Sequence, residues 1–368
     1  MKNILHHFSK IQDNRQKQGR RYELKSILAL VLLGYMHGYT SLARIYRFGQ
    51  ILTKIQKRLL GFTSGSVPSH PTITETVKRI NACEFQQAIG QMILSQIDPK
   101  FKQIAIDGKS IRSTYSSLEG LLHLVSAFAT ENSGVLAQVK SELAGGEING
   151  AAKVLSQIDL KDKIVTGDAM FAQDALCTQI VESKGDYLFK VKKNKKRIVN
   201  DIDQEFYYHK TKNLPILSFE SEASKAHGRI DLRRIEVIEV SDKYFGGLDT
   251  IKQIARITRT YYTMKTKVEK SELHYIMTSL SAEKASPKDF LKLSVNHWLI
   301  ENKLHRTRDT TFQEDICNIL SHQSQQNNAA MRNLAIFLLN KISSSISRAI
   351  EAVTYNIGLA FSLLLRRI

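Results

Sequence analysis

Two aspartates and a glutamate carry the chemistry this sequence offers. Asp107 follows the apolar run Ile104, Ala105, Ile106, and Asp168 follows "IVTG". An ionised carboxylate at the end of an apolar strand is costly unless a cation meets it. The C-terminal ends of strands are also where α/β sheets commonly seat ligands. Two carboxylates brought together there repel unless a divalent ion lies between them, and oxygen-only donors favour Mg²⁺ or Mn²⁺. Taken alone, each aspartate reads more simply as a turn or capping residue.

The third carboxylate is Glu301, in "NHWLIENKLHRTRD". His297, Glu301 and His305 recur at i, i+4 and i+8, on one face of a helix, with Arg308 beyond them. Three readings of this face stay open. It could complete an acidic metal site, with His297 and Arg308 holding DNA phosphate. It could hold zinc through the two histidines, although the H-E-x-x-H spacing is absent. It could be a solvated face with i,i+4 contacts. Trp298 reads as a core anchor, and His123, His227 and His274 as structural. Glu314 and Asp315 are further carboxylates, about three helical turns beyond Glu301 and too far to share its ion.

The elements that must position these groups can be read from periodicity. Residues 1–98 read as helical, with a dense apolar face in "YELKSILALVLLGYMHG" and Thr72 or Thr74 as a cap before "ITETVKRI". From Pro99 the texture changes. "FKQIAID", "LLHLVSAFAT", "VLAQVKSEL", "DKIVTGDAMF" and "DYLFKVK" read as strands, with helices at "GAAKVLSQI" and at "AQDALCTQIVESKG", the latter closed by Gly185. This predicts a mixed α/β sheet with flanking helices. Antiparallel alternation between about 208 and 282 predicts a β-rich insertion. Helical texture returns from "SPKDFLKLS" onward, and 346–368 reads as a C-terminal helix.

The chain has 53 Lys and Arg against 35 Asp and Glu, a net charge of +18. A surplus of that size points to a polyanion, most commonly nucleic acid. The cations gather near the carboxylates: Lys109 and Arg112 after the first aspartate, then Lys190, Lys192, Lys193, Lys195 and Lys196 after a core strand. These are the expected phosphate contacts, which position DNA without reading its sequence. Arg229, Arg233 and Arg234 cluster in the insertion. The three cysteines make neither a zinc spacing nor a disulfide framework, as expected of a reducing cytoplasm. The longest apolar stretches fall short of the ~20 residues that span a bilayer, so both read as buried helices and no membrane partner is expected.

The blocks "IAIDGKSIRS", "IVTGDAMFAQ", "DYLFKVKKN", "AHGRIDLRRIEV" and "HWLIENKLHRTRDTTFQED", in this order, resemble bacterial insertion-sequence transposases of the DDE class, nearest to the H-repeat-associated type. "PSHPT" and the basic N-terminal stretch resemble the helical domain that accompanies them. The resemblance covers residues of about 8 to 340. It implies a ribonuclease H-like catalytic domain over 99–345, with Asp107, Asp168 and Glu301 as the catalytic and metal-binding triad. Ser294, His297, Glu301 and Arg308 stand at the positions of a Tyr-Arg-Glu-Lys signature in related transposases. The Trp usual after "LH" is replaced by Arg306, and the Arg usual before "HW" by Val295. The resemblance also implies cleavage and strand transfer of insertion-sequence ends with two Mg²⁺ ions, for which Mn²⁺ would substitute. The implied partners are double-stranded DNA, both transposon end and target, and a second copy in a homodimer. The place of work would be the cytoplasm, at the nucleoid. Two alternatives remain: a nuclease of the same class without strand transfer, or a domesticated, inactive DNA-binding protein.

Overall fold

The computed structural model describes residues 3–116, 120–141, 146–192, 195–226, 228–240, 245–317 and 321–365. Helices come first: α1 (Ile4–Phe8), α2 (Leu24–Met36), α3 (Leu42–Ile51), α4 (Lys54–Leu59), α5 (His70–Arg79) and α6 (Ala82–Leu94). Strands β1 (Gln103–Ser116), β2 (Gly120–Ala129) and β3 (Gly134–Ser141) follow, then α7 (Glu147–Leu155), β4 (Ile164–Gly167), α8 (Asp174–Glu182), β5 (Asp186–Val191) and α9 (Lys196–Thr211). Next come β6 (Leu217–Glu220), β7 (Ser224–Ala226), β8 (Arg229–Glu239), β9 (Gln253–Thr263) and β10 (Val268–Thr278). The chain ends in α10 (Pro287–Asn296), a π-helical turn (Ile300–His305), α11 (Arg306–Thr310), α12 (His322–Asn340), α13 (Ile346–Tyr355) and α14 (Ile357–Leu365). The class is mixed α/β, with strands in a large mixed sheet and helices on its faces.

The chain forms two compact units. One comprises Met1–Phe101, Gly108–Ile158 and Leu299–Ile368; the other comprises Lys102–Asp107 and Asp159–Trp298. In the first, β3, β2 and the second part of β1 lie side by side, with β2 and β3 antiparallel. Helix α2 is buried along nearly its whole length, as expected of a helix that is apolar all round. Helix α12 packs against α2, α5, α6 and β3. It buries polar side chains as well, some of them on backbone partners: Asn327 donates to the carbonyls of Val77 and Ile80 at 2.8 and 3.0 Å. Gly90 of α6 lies so close to β3 that a Cβ would overlap the Leu136 carbonyl oxygen.

In the second unit the order is β1, β4, β5, β10, β9, β8, β6, with β7 also on β8. Strands β1, β4 and β5 are parallel and the rest antiparallel. Helix α10 covers this sheet, setting Phe290, Leu291 and Leu293 against Leu188, Ile235, Val237, Ile257 and Ile276. Its start is fixed by a Ser286–Asp289 capping box with Pro287 inside the first turn.

Several local expectations need correcting. Ser69, not Thr72 or Thr74, caps α5, because Pro71 occupies the first turn and sets the start one residue after Ser69. Helix α8 ends with Lys184, not Gly185, in the left-handed region at φ 61°. Asp107 does not end its strand. β4 stops at Gly167, while β1 runs on to Ser116 beside β2.

Candidate active site

The parallel register brings the two aspartates together within the second unit. Gln103, Ile104 and Ala105 pair with Ile164, Val165 and Thr166. Asp107 and Asp168 each lie two residues beyond the last pair, and both carboxylates act on Lys190 and His297. Neighbouring strands are ~4.8 Å apart, and residues at even spacing share a face. Ile104, Ala105 and Ile106 are fully buried, so the strand carrying Asp107 is held in the core. Gly167 lets the chain turn here: a Cβ would stand 3.0 Å from Phe171, 3.1 Å from Phe189 and 3.2 Å from Ile106.

Cations and a buried imidazole surround Asp168. The Lys190 ammonium lies 3.4 Å from one carboxylate oxygen and that of Lys192 3.6 Å from the other. His297 Nε2 is 3.9 Å away. Burial alone would raise the Asp168 pKa, but Lys190, Lys192 and His297 outweigh it, and the carboxyl sits below its usual range. Burial pushes Lys190 down, with Asp168 and Asp107 pulling the other way. His297 is driven down to about 4, first by burial and then by Lys190, so its ring is neutral at pH 7. Gln103 locks this arrangement, donating to Thr166 Oγ1 at 3.0 Å and to the Leu293 carbonyl at 2.8 Å. Thr166 Oγ1 in turn lies 3.3 Å from His297 Nδ1.

In the first unit, Glu301 sits on the π-helical turn. Its carboxylate lies 3.3 Å from Nδ1 of the buried His305, and that hydrogen bond is the chief cause of its lowered pKa. The Arg306 N–H bonds the Glu301 carbonyl, five residues back. The wider turn breaks the even i, i+4, i+8 face expected of an α-helix, and such turns recur at functional sites.

Four expected side chains stand elsewhere than the sequence suggested. Arg308 is 0% exposed. Its guanidinium is 2.7 Å from Glu314 and 3.1 Å from Gln138, so it faces the interior instead of phosphate. Glu314 is shared with Arg332 at 2.9 Å and is a structural charge. Lys109 is buried on Asp309 at 2.6 Å and offers no open ammonium. His297 is buried and neutral and cannot hold phosphate by charge. Trp298, expected in the core, is 55% exposed, with Lys190 4.6 Å above its ring.

The basic run fares differently. Lys192 is 60% exposed, Lys196 is exposed, Lys195 reaches Gln173 at 3.0 Å, and Lys193 lies outside the described residues, as does His227. Arg112 is 85% exposed, 3.9 Å from Asp315. Gln103, Thr166 and Asp309 were missed in the sequence. A polar Gln at the head of an apolar run was the available signal for the first.

A family model described as "Transposase DDE domain" matches residues 98–338, and one described as "DDE_Tnp_1-associated" matches 5–93. The chain belongs to the DDE transposases. Among relatives of this transposase, YbfL of Escherichia coli K12 is 31% identical over 92% of this chain and 90% of its own length. YhhI of the same strain, which carries the name of an H repeat-associated transposase, is 30% identical over the same shares. YbfD, named likewise, is 32% identical over 66% of this chain and 96% of its own length. The transposase is therefore of the H-repeat type, and its function is DNA transposition. Among solved structures, a piggyBac transposase synaptic complex with hairpin DNA aligns at TM-score 0.45 and 10% identity, over 98% of this chain and 77% of that one. Among the described residues no single helix is long and apolar enough to cross a membrane.

Proposed function

We propose that this transposase cuts DNA at insertion-sequence ends and joins the freed 3′ ends to target DNA, with Asp107, Asp168 and Glu301 as its metal-binding carboxylates. The observation that carries the reading is the parallel pairing that ends two residues before Asp107 and Asp168, leaving both carboxylates to act on Lys190 and His297. Two carboxylates at adjacent strands are an oxygen donor set suited to hard divalent cations, Mg²⁺ or Mn²⁺, which would displace the Lys190 and Lys192 ammoniums from Asp168. Bound there, such ions supply Lewis-acid stabilisation to the attacking and leaving oxygens of a phosphodiester. The protein's own side chains do the rest. Lys190 and Lys192 limit repulsion at Asp168, and Lys192 reaches solvent where a phosphate can meet it. The neutral His297, held through Thr166 and Gln103, keeps the α10 end fixed without adding charge. His305 orients the Glu301 carboxylate.

The same reading proposes a ribonuclease H-like catalytic domain over 99–345, a β-rich insertion at about 208–282, a DNA-binding helical domain over 1–98, and a homodimer on double-stranded DNA. Support for the DNA partner is the charge surplus and the family.

The test is a cleavage and strand-transfer assay on a plasmid carrying the element's ends. Activity requires Mg²⁺ or Mn²⁺ and vanishes with EDTA. Asp107→Asn, which keeps the side chain's size, loses about 10³-fold in rate, since metal-mediated charge stabilisation amounts to several kcal/mol. Its DNA affinity stays near wild type, because that comes from phosphate contacts elsewhere. Cleavage that survives in Asp107→Asn removes this carboxylate from the mechanism. Cleavage without joining identifies a nuclease, and binding without either identifies an inactive DNA-binding protein.

A further inference from the structure

A second feature of the first unit has no part in the triad. Behind the turn that carries Glu301, a cleft of about 330 Å³ opens between the π-helical turn with α11 and the start of α13. Its wall includes Lys303, Arg306, Thr307, Asn340, Ser344 and Ser345, and no carboxylate lines it. Lys303 donates to Ser133 at 2.9 Å. Arg306 is exposed and has no acidic partner among the described residues. Thr307 is the informative member: it is only 8% exposed, it lines the cleft, and its hydroxyl bonds no group among the described residues. The hydroxyl opens on the cleft, where a solute oxygen can take the place of water as its partner.

The far wall adds donors. Ser345 makes no side-chain hydrogen bond to cap α13, a ten-residue helix. The first N–H groups of such a helix have no partner within it and carry the positive end of its dipole. Two cations, unpaired hydroxyls and open N–H groups without a carboxylate make a site for a tetrahedral anion.

We propose that this cleft seats a backbone phosphate of the DNA. Lys303 and Arg306 supply charge, and Thr307 and the α13 N–H groups supply neutral hydrogen bonds. The proposal rests on the transposase function. It assigns a separate anchoring point on the turn that bears Glu301, to which Arg306 is tied by its backbone N–H.

The experiment uses full-length protein and a fluorescein-labelled 30-base-pair duplex, with EDTA to block cleavage. Anisotropy titrations are run from low to moderate salt. Arg306→Gln is expected to weaken binding several-fold and to lower the slope of log K against log[salt] by about 0.9, the share of one phosphate contact. Thr307→Val, which removes the hydroxyl and keeps the volume, is expected to weaken binding at an unchanged slope. Lys161→Gln, at an exposed lysine that does not line the cleft, controls for charge alone. An equal slope change in Lys161→Gln overturns the proposal, because the effect is then the general field of the protein. Inorganic phosphate, added at constant ionic strength in a thermal-shift assay, separates the other source. Stabilisation by phosphate that Arg306→Gln abolishes, with the DNA slope unchanged, assigns the cleft to free phosphate and overturns the DNA site. A wild-type protein that binds and cleaves DNA beside an Arg306→Gln variant of unchanged slope sinks the cleft alone. A wild-type protein that neither binds nor cleaves sinks both readings.

Discussion

His297 is the residue whose environment says most about this site. It is packed at the end of α10, 3.3 Å from Thr166 and 3.9 Å from Asp168, and its pKa falls to about 4 against an ordinary 6.5. Between those two values the unfolded chain binds a proton that the folded protein refuses. Stability is therefore fully present above about pH 6.5 and is lost as the pH falls toward 4, at up to roughly 1.4 kcal/mol per pH unit. Asp168, whose folded pKa is lowered, loses its own contribution at lower pH still. Urea unfolding of metal-free protein at pH 7.5 and pH 5 should show a loss on the order of 2 kcal/mol for wild type. His297→Gln, which can still bond Thr166, should show much less of it. An equal loss in both would place the acid sensitivity elsewhere.

At the scale of elements, the π-helical turn and α11 are held from beneath by charge. Glu314 is fully buried between Arg308 and Arg332, and burial, which would raise its pKa, is overcome by the two guanidiniums. Removing one member of such a network leaves uncompensated buried charge, which costs about 3–5 kcal/mol. Glu314→Ala should thus lower the urea midpoint sharply, with no change in DNA affinity for the fraction that remains folded. A variant of near wild-type stability would mean that water enters and solvates the arginines. The same packing explains why Arg308, so inviting in sequence as a phosphate ligand, serves the fold instead.

At the scale of the molecule, the +18 charge sets how the protein meets DNA. Salt dependence counts phosphate contacts, at about 0.9 per contact. Changing Lys192, Lys193, Lys195 and Lys196 to Ala should flatten the slope of log K against log[salt] by about 2 or more. Affinity should weaken while the carboxylates stay able to bind metal. An unchanged slope would make the run a solvated face. The intrinsic fluorescence of Trp298, the chain's one tryptophan and exposed beside Lys190, offers a direct optical readout of the same titration.

The sequence by itself determined much of the order of the elements, because apolar periodicity is local: the helical N-terminal region, the core strands and the antiparallel strands stand where their patterns put them. It missed α9, and the single helix expected over 346–368 is two, α13 and α14, bent by 102° at the break between them. It also marked both aspartates, since a carboxylate directly after a largely apolar run is visible in one dimension. Which charges face solvent could not be read this way. Lys109 and Arg308 look like surface cations until Asp309, Glu314 and Gln138, contributed by other segments of the chain, are brought against them. Trp298 looks like core until α10 turns its ring outward. That Asp107 lies within a strand and not at its end depends on β2 continuing to pair where β4 stops. Burial and pairing are sums over neighbours distant in sequence, and only the tertiary structure supplies those neighbours.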